Sequence, residues 1–554
     1  ADEGVMPQTR EHFEICRLLG LKNGVIAMTK SDLADPETLE LARLDIAELI
    51  ADSFLADAPI IPVSSKTGDG IDELKEVLVL AANETRARTD RYVTFLPVDR
   101  SFSVKGFGTV VTGTLNSGQI AEGDELVLLP EEKRVRVRGV QSHGQSAESV
   151  TAGRRTAVNL AGVDHDEVSR GMVLTRRDVL QPTSLVNCEI EVLKSAPRSL
   201  KTRQRVRVHV GTAEVLGRVS VIDGSGEVAA GETGLVQLRL ESPIAAIPSE
   251  RLILRSYSPQ ATIGGGTILD VLPQKHRRRD IGETVEFLRD VSTALSDDRQ
   301  WIELLVTRSG MHGMTLQNLR ERTGLIDRRL TTALQAAIEE GTLREGGGCY
   351  VGAETFAAIE SRLLAALDKF HKVQPLAPAM TRELLLDNIR SVPVELPAAV
   401  LVNLAIAEKI VQEAEGFRLA SHASELTGDD AVVSDRIRKI YADAGLEVPK
   451  IDEALSTATA GMKMQPERVR KLLHLLLAKG EIVKATDEFY FSRCAIDETA
   501  AKIREYAATT TDRLIDVAKF KELTGVSRKY AIPLLEYFDG IRVTRRAGDK
   551  RVVI

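Results

Sequence analysis

Along residues 1–84 short apolar runs alternate with stretches of helical period. Gly24-Val25-Ile26-Ala27-Met28 and Pro59-Ile60-Ile61-Pro62-Val63 read as buried strands, and between them Asp35 and Pro36 supply an N-cap and a first helical residue. Leu39, Ala42, Ile46, Leu49 and Ile50 give that helix one apolar face. Strand, helix, strand, helix predicts an α/β unit with a parallel sheet, whose ligands gather at the carboxyl ends of the strands. From Tyr92 to Leu272 the period falls to two: Val135 and Val137 alternate with Arg134, Arg136 and Arg138, and Val206, Val208 and Val210 with Arg205, Arg207 and His209. This predicts two small β-barrels divided near Gln181-Pro182, since closing a sheet removes its edges.

After Lys275-His276-Arg277-Arg278-Arg279 the helical period returns, and with it an internal repeat. An amphipathic helix runs into two short β-like stretches at Gly341–Val351, Lys409–Leu419, Gly480–Phe491 and Gly540–Val553. Helices closed by a hairpin within roughly 60 to 75 residues are the winged-helix form of helix-turn-helix, so four tandem copies are expected. Leu330, Leu334, Ala337 and Ile338 in the first copy, and Val469, Leu472, Leu473 and Leu476 in the third, form core stripes that leave the opposite face for function.

Composition narrows the class. The 554 residues carry 73 Lys and Arg against 80 Asp and Glu, a net charge of −7, so contact with nucleic acid has to be local. At 4% aromatic content, stacking platforms for single strands are few, and contacts to phosphates by Lys and Arg are favoured. No apolar run approaches the ~18 residues of a membrane span, and no basic then apolar leader opens the chain; a cytoplasmic protein without membrane partners is expected. Cys16, Cys188, Cys349 and Cys494 form no CxxC pair, which predicts buried reduced thiols and no metal site. The chain opens Ala1-Asp2-Glu3-Gly4 without methionine and is expected to be a fragment.

Two polar turns follow the two predicted strands directly: Thr29-Lys30-Ser31-Asp32 and Ser64-Ser65-Lys66-Thr67-Gly68. A guanine ring offers N1–H and its N2 amine side by side, and a carboxylate accepts both in a bidentate bond that adenine cannot reproduce. Asp32 is that carboxylate by position; Lys30 lays its stem along the base, and the backbone amides of Ser65 and Lys66 reach O6. Near the C-terminus the sign of the charge reverses, with ten Lys or Arg against five Asp or Glu in residues 513–554. Ser527 is placed to N-cap the last helix, Arg528 and Lys529 lie in its first turn, and Ile532, Leu535 and Phe538 make its buried stripe, interrupted by Pro533. Cations in a first turn oppose the helix dipole and point to an anionic partner; Arg545 and Arg546 fall on the wing.

Asp2-Glu3-Gly4-Val5-Met6-Pro7-Gln8-Thr9-Arg10-Glu11-His12 resembles the segment past the second switch of translational GTPases of the elongation factor Tu class. Gly106-Phe107-Gly108-Thr109-Val110-Val111-Thr112-Gly113-Thr114 resembles the start of their barrel domain. Thr29 in place of the usual Asn, and four winged helices after the barrels, are similar to the bacterial selenocysteine-specific elongation factors, over essentially the whole chain. The resemblance implies a multidomain fold combining α/β, all-β and α+β parts. These are the C-terminal half of a P-loop GTPase domain (1–86), two β-barrels (92–178 and 181–272) and four winged helices (275–352, 353–421, 428–493 and 494–554).

It implies a factor that binds GTP or GDP with Mg²⁺, selenocysteinyl-tRNA, the ribosome and a selenoprotein mRNA hairpin, acts as a monomer, and delivers selenocysteine at UGA codons. Thr29, Lys30, Asp32, Ser64, Ser65 and Lys66 then bind guanine. Asp99, Arg100 and Arg155 surround the amino acid: a selenol ionises near neutral pH where serine does not, so a cationic pocket separates them. Arg528, Lys529, Arg545 and Arg546 bind the mRNA, with Arg468, Arg470 and Lys471 as a weaker candidate. The phosphate loop, the Mg²⁺-binding switch threonine and the catalytic His of the family do not occur in the chain, so no catalytic residue and no GTP hydrolysis are expected from these residues alone. Two alternatives remain open on sequence: a DNA-binding winged-helix regulator with a degenerate GTPase scaffold, and another elongation or initiation GTPase.

Overall fold

The computed structural model describes residues 1, 3–84, 90–106, 108–276, 280–374, 377–389, 392–393, 395–414, 416–422, 428–510 and 513–554. Asp2, Phe107 and the basic run Arg277–Arg279 lie outside the described residues. The chain divides into two compact units, residues 1–358 with 391–399, and residues 359–390 with 400–554.

The first unit opens with two strands, Ile26–Met28 and Ile60–Pro62, paired in parallel with Ile26 opposite Ile60. Helices Pro7–Leu18, Pro36–Ile50 and Ile71–Glu84 accompany them. Asp35 caps the second helix by accepting from the Thr38 amide at 2.8 Å, as its position before Pro36 predicts. On the expected apolar face Ala42 and Ile50 are buried, while Leu39, Ile46 and Leu49 are half-buried.

Both barrels form where the period-two pattern places them. In the first, the strands run Arg155–Ala161, Gly108–Thr114, Phe95–Val104, Val173–Thr175, Glu125–Leu129 and Lys133–Ser142, and the last pairs back to the first, closing the ring. The second is a closed six-stranded barrel of Thr183–Val192, Thr233–Ile244, Ala213–Val221, Arg205–Val210, Arg251–Ser256 and Thr262–Asp270. The alternating valines fill the interiors, and their arginine neighbours face outward.

A helical module closes this unit. Helices Ile281–Ala294, Asp298–Ser309, Leu316–Thr323 and Asp327–Glu339 pack against a three-stranded sheet of Met314–Thr315, Cys349–Gly352 and Leu343–Gly346. Its core of Leu288, Val291, Trp301, Leu305, Leu330 and Leu334 continues into Ile222, Leu235 and Leu269 of the second barrel. Arg322 seals the joint, donating to both oxygens of the buried Asp270 at 3.0 and 2.7 Å.

In the second unit the hairpin Ile410–Glu413/Gly416–Leu419 is followed by two further modules. Helices Asp429–Asp443, Ile451–Ala458 and Pro466–Ala478 with the hairpin Ile482–Lys484/Tyr490–Ser492 make one. Helices Arg493–Thr509, Val517–Thr524 and Arg528–Gly540 with strands Leu514–Ile515, Thr544–Ala547 and Lys550–Val553 make the other. One continuous apolar core, from Val433 to Val553, serves both. Among the described residues a hairpin follows helices in the first module and in the last two, with a third strand in the first and last sheets.

Two expectations need correction. Cys188 and Cys349 are buried, but Cys16 is half-buried, and Cys494 is exposed at the start of its helix, donating to Glu498 at 3.2 Å. Ile532 is also exposed; the buried stripe of the last helix is Ala531, Leu534, Leu535 and Phe538. Steps of three residues drift by about 60° each, which puts Ile532 roughly 120° from Phe538, whereas Ala531 lies about 20° from it. Among the described residues no helix is long and apolar enough to cross a membrane.

Candidate functional site

The two polar turns meet at the carboxyl ends of the parallel strands. Val63 N–H donates to the Met28 carbonyl at 2.9 Å and Ser31 N–H to the Val63 carbonyl at 3.2 Å, which lays the first turn against the second. Lys30 takes the left-handed conformation, φ 59°, and starts a short 3-10 turn, Ser31–Leu33, that turns Asp32 toward the second loop. Ser64 is fully buried; its hydroxyl donates to Asp32 Oδ1 at 2.7 Å and accepts from the amides of Lys66 and Thr67, each at 3.2 Å. Ser64 therefore organises both loops from beneath, and the Lys66 amide is turned inward to it. Thr29, Lys30, Asp32, Ser65 and Lys66 form the exposed rim.

At the rim of the first barrel, Asp99 and Arg155 form an ion pair, and Thr112 donates to the other Asp99 oxygen at 2.8 Å. Burial by itself raises the Asp99 carboxyl, but the hydrogen bonds from Arg155 and Thr112 and the charges of Arg155 and Arg100 overcome it and hold the group below its ordinary value. The same bond holds the Arg155 guanidinium above its own. Arg100 follows Asp99 on the same strand and is exposed. The strand pairings bring Arg155 opposite Thr114 and Arg100 opposite Thr112, so the three predicted residues are drawn together by the sheet register. Sequence reading missed Thr112; its signal was the alternation in Gly108–Thr114 that sets residues 112 and 114 on one face.

On the last module Arg528, Lys529, Arg545 and Arg546 are all exposed, the first two on the helix and the others on the wing strand Thr544–Ala547. Ser527 holds the N-cap position but makes no side-chain capping bond. The Lys529 ammonium sits 5.4 Å from the Phe489 ring and 5.1 Å from the Tyr530 ring, so it also ties this module to the preceding hairpin. Not every cation of the basic stretch faces out: Arg551 is buried and paired with Asp539 at 2.8 Å. In the preceding module Arg468 is taken up by Asp430 in a bidentate pair at 2.9 and 2.8 Å.

Family models match four parts of the chain: residues 1–84 (elongation factor Tu GTP binding domain), 108–175 (elongation factor Tu domain 2), 188–275 (selenocysteine-specific elongation factor, beta-barrel domain) and 509–553 (elongation factor SelB, winged helix). The selenocysteine-specific elongation factor of Desulfomicrobium baculatum is 34% identical over 567 residues, covering 100% of this chain and 86% of that protein. The chain belongs to the selenocysteine-specific elongation factors. The Escherichia coli K12 member is 26% identical and is covered to 85%. A crystal structure of a bacterial family member, EF-Sec, superposes with a TM-score of 0.63 at 23% identity, over 100% of this chain and 84% of that one, and so shares the fold. Membership makes this chain a selenocysteine-specific translation factor, with guanine-nucleotide binding and GTPase activity belonging to it by family.

Proposed function

We propose that the chain carries selenocysteinyl-tRNA to the ribosome at UGA codons of messages marked by a hairpin, working in the cytoplasm as a monomer. Thr29, Lys30, Asp32, Ser65 and Lys66, organised by Ser64, hold the guanine base of GTP or GDP. A carboxylate whose second oxygen is anchored by Ser64 is aimed before the base arrives, which lowers the ordering cost of binding. The division into a GTPase-domain segment (1–86), barrels (92–178, 181–272) and winged helices (275–352, 353–421, 428–493, 494–554) belongs to the same reading.

The observation that carries it is Arg155, exposed at the barrel rim and held by Asp99. With Arg100 it offers two guanidinium groups to one side chain, which favours a selenolate over the neutral hydroxyl of serine. The cations of the last module, Arg528, Lys529, Arg545 and Arg546, grip the hairpin backbone, because the deep major groove of RNA closes the base edges to side chains. Joining tRNA and hairpin sites on one molecule raises the local concentration of selenocysteinyl-tRNA at one codon. Arg155→Ala is expected to lower discrimination between selenocysteinyl- and seryl-tRNA by about 10-fold, read from protection of the aminoacyl ester. Unchanged discrimination removes Arg155 from the pocket.

A further inference from the structure

The strand Phe95–Val104 contains one extra residue. Val98 pairs with Gly113 and Arg100 with Thr112, so Asp99 is the bulged position, and a bulge re-aims one side chain away from the regular pleat. A Cβ at Gly113 would run into the Pro97 carbonyl oxygen, so the facing strand can close around the bulge only with glycine there. Thr112 and Thr114, two apart on that strand, reach the same ion pair: Thr112 donates to Asp99 Oδ1 at 2.8 Å, and Thr114 accepts from Arg155 at 3.5 Å.

The two oxygens of Asp99 are thereby divided, Oδ1 to the threonine hydroxyl and Oδ2 to Arg155. The bonds from Arg155 to these side chains leave from Nη1. A guanidinium has five N–H donors, and one held through a single nitrogen keeps Nη2 and Nε for a ligand. A carboxylate with both oxygens open takes a guanidinium as a fork and draws those donors inward.

We propose that Thr112 is a positioning residue for amino-acid selection: by occupying Asp99 Oδ1 it keeps Arg155 singly held, with its remaining N–H groups turned toward an anionic selenolate on the tRNA-borne amino acid. This rests on the reading of Asp99, Arg100 and Arg155 as the amino-acid pocket. Without the hydroxyl, Asp99 closes on Arg155 as a fork, and the pocket loses its preference for an anion over a neutral hydroxyl.

The test compares the whole chain with Thr112→Val and Thr112→Ser, reading protection of the aminoacyl ester of selenocysteinyl-tRNA and of seryl-tRNA. Thr112→Val is expected to lower the ratio of the two affinities about 10-fold, and Thr112→Ser, which retains the hydroxyl, to restore it. An unchanged ratio in Thr112→Val, an equal loss for both tRNAs, or failure of serine to restore the ratio overturns the role, because a purely structural residue moves both affinities together. Arg155→Ala run beside it separates the two levels. If Arg155→Ala leaves the ratio intact, the pocket reading itself fails; if Arg155→Ala lowers the ratio and Thr112→Val does not, only the role of Thr112 fails.

Discussion

The first and last helical modules share a Thr-Gly turn and differ in the charges that follow it. In the first, Thr323-Gly324 ends one helix and Asp327-Arg328-Arg329 begins the next; in the last, Thr524-Gly525 is followed by Arg528-Lys529-Tyr530. Both glycines take the left-handed conformation, φ 66° and 75°, and both threonine hydroxyls donate to a carbonyl four residues back at 2.7 Å. What differs is where the charges go. In the first module Arg320 pairs with Asp327 at 2.7 Å, Arg329 with Asp298, and Arg322 with Asp270 of the second barrel. In the last, Arg528, Arg545 and Arg546 form no ion pair among the described residues. The turn is thus followed in the first module by a paired Arg329 beside an exposed Arg328, and in the last by an exposed Arg528 and Lys529.

The largest expected effect lies at the neutralised end. Arg322→Ala leaves the buried Asp270 carboxylate without its partner and is expected to destabilise the first unit by about 3–5 kcal/mol in thermal or denaturant unfolding. Arg528→Ala, at an exposed site, is expected to cost no more than about 0.5 kcal/mol; a large loss there would break the comparison. Next is binding: replacing Arg528, Arg545 and Arg546 together by Glu is expected to weaken hairpin affinity about 100-fold in a gel-shift titration, and Arg545→Ala alone to reduce the salt slope by about one. A smaller effect belongs to Lys529, whose contacts with Phe489 and Tyr530 are worth about 0.5–1 kcal/mol to the second unit, so Lys529→Ala should lower its stability as well as its RNA affinity.

The smallest effect is one of pH. His371 and His422 stack in the second unit with ring centroids 3.8 Å apart, beside Arg418, with Asp368 acting in the opposite sense. Burial first, then the charges of His422 and Arg418, push the His371 imidazole below its ordinary value. The unfolded chain therefore binds the proton more readily, and stability is lost as pH falls through the unfolded value of about 6.5 toward the folded one. His371→Asn should remove that acid sensitivity from unfolding of the second unit and leave the first unit's own pH response in place.

Elements with a strong period were legible from sequence. The Asp35-Pro36 helix start, the alternating valines of both barrels and the stripe Leu330, Leu334, Ala337 depend on neighbours close along the chain. Charge pairing was not legible, because Arg91 with Asp298 and Arg322 with Asp270 are joined across long spans by the tertiary fold, and the sequence shows the charge without its partner. The same reason hid the burial of Arg551 against Asp539 within a stretch that counts as basic. At the barrel rim the sequence supplied Asp99, Arg100 and Arg155, but the hydroxyl that fixes Asp99 emerged only from the register around the bulge.

The most direct test is binding of the whole chain, at one physiological salt concentration, to a matched selenoprotein mRNA hairpin, a scrambled hairpin and a DNA duplex of equal length. Tight binding to the matched hairpin, lost when Arg528, Arg545 and Arg546 are replaced by Glu, is the expected result. Equal or tighter binding to the DNA duplex, or hairpin binding that survives those replacements, would contradict the assignment of the last module as the reader of the message.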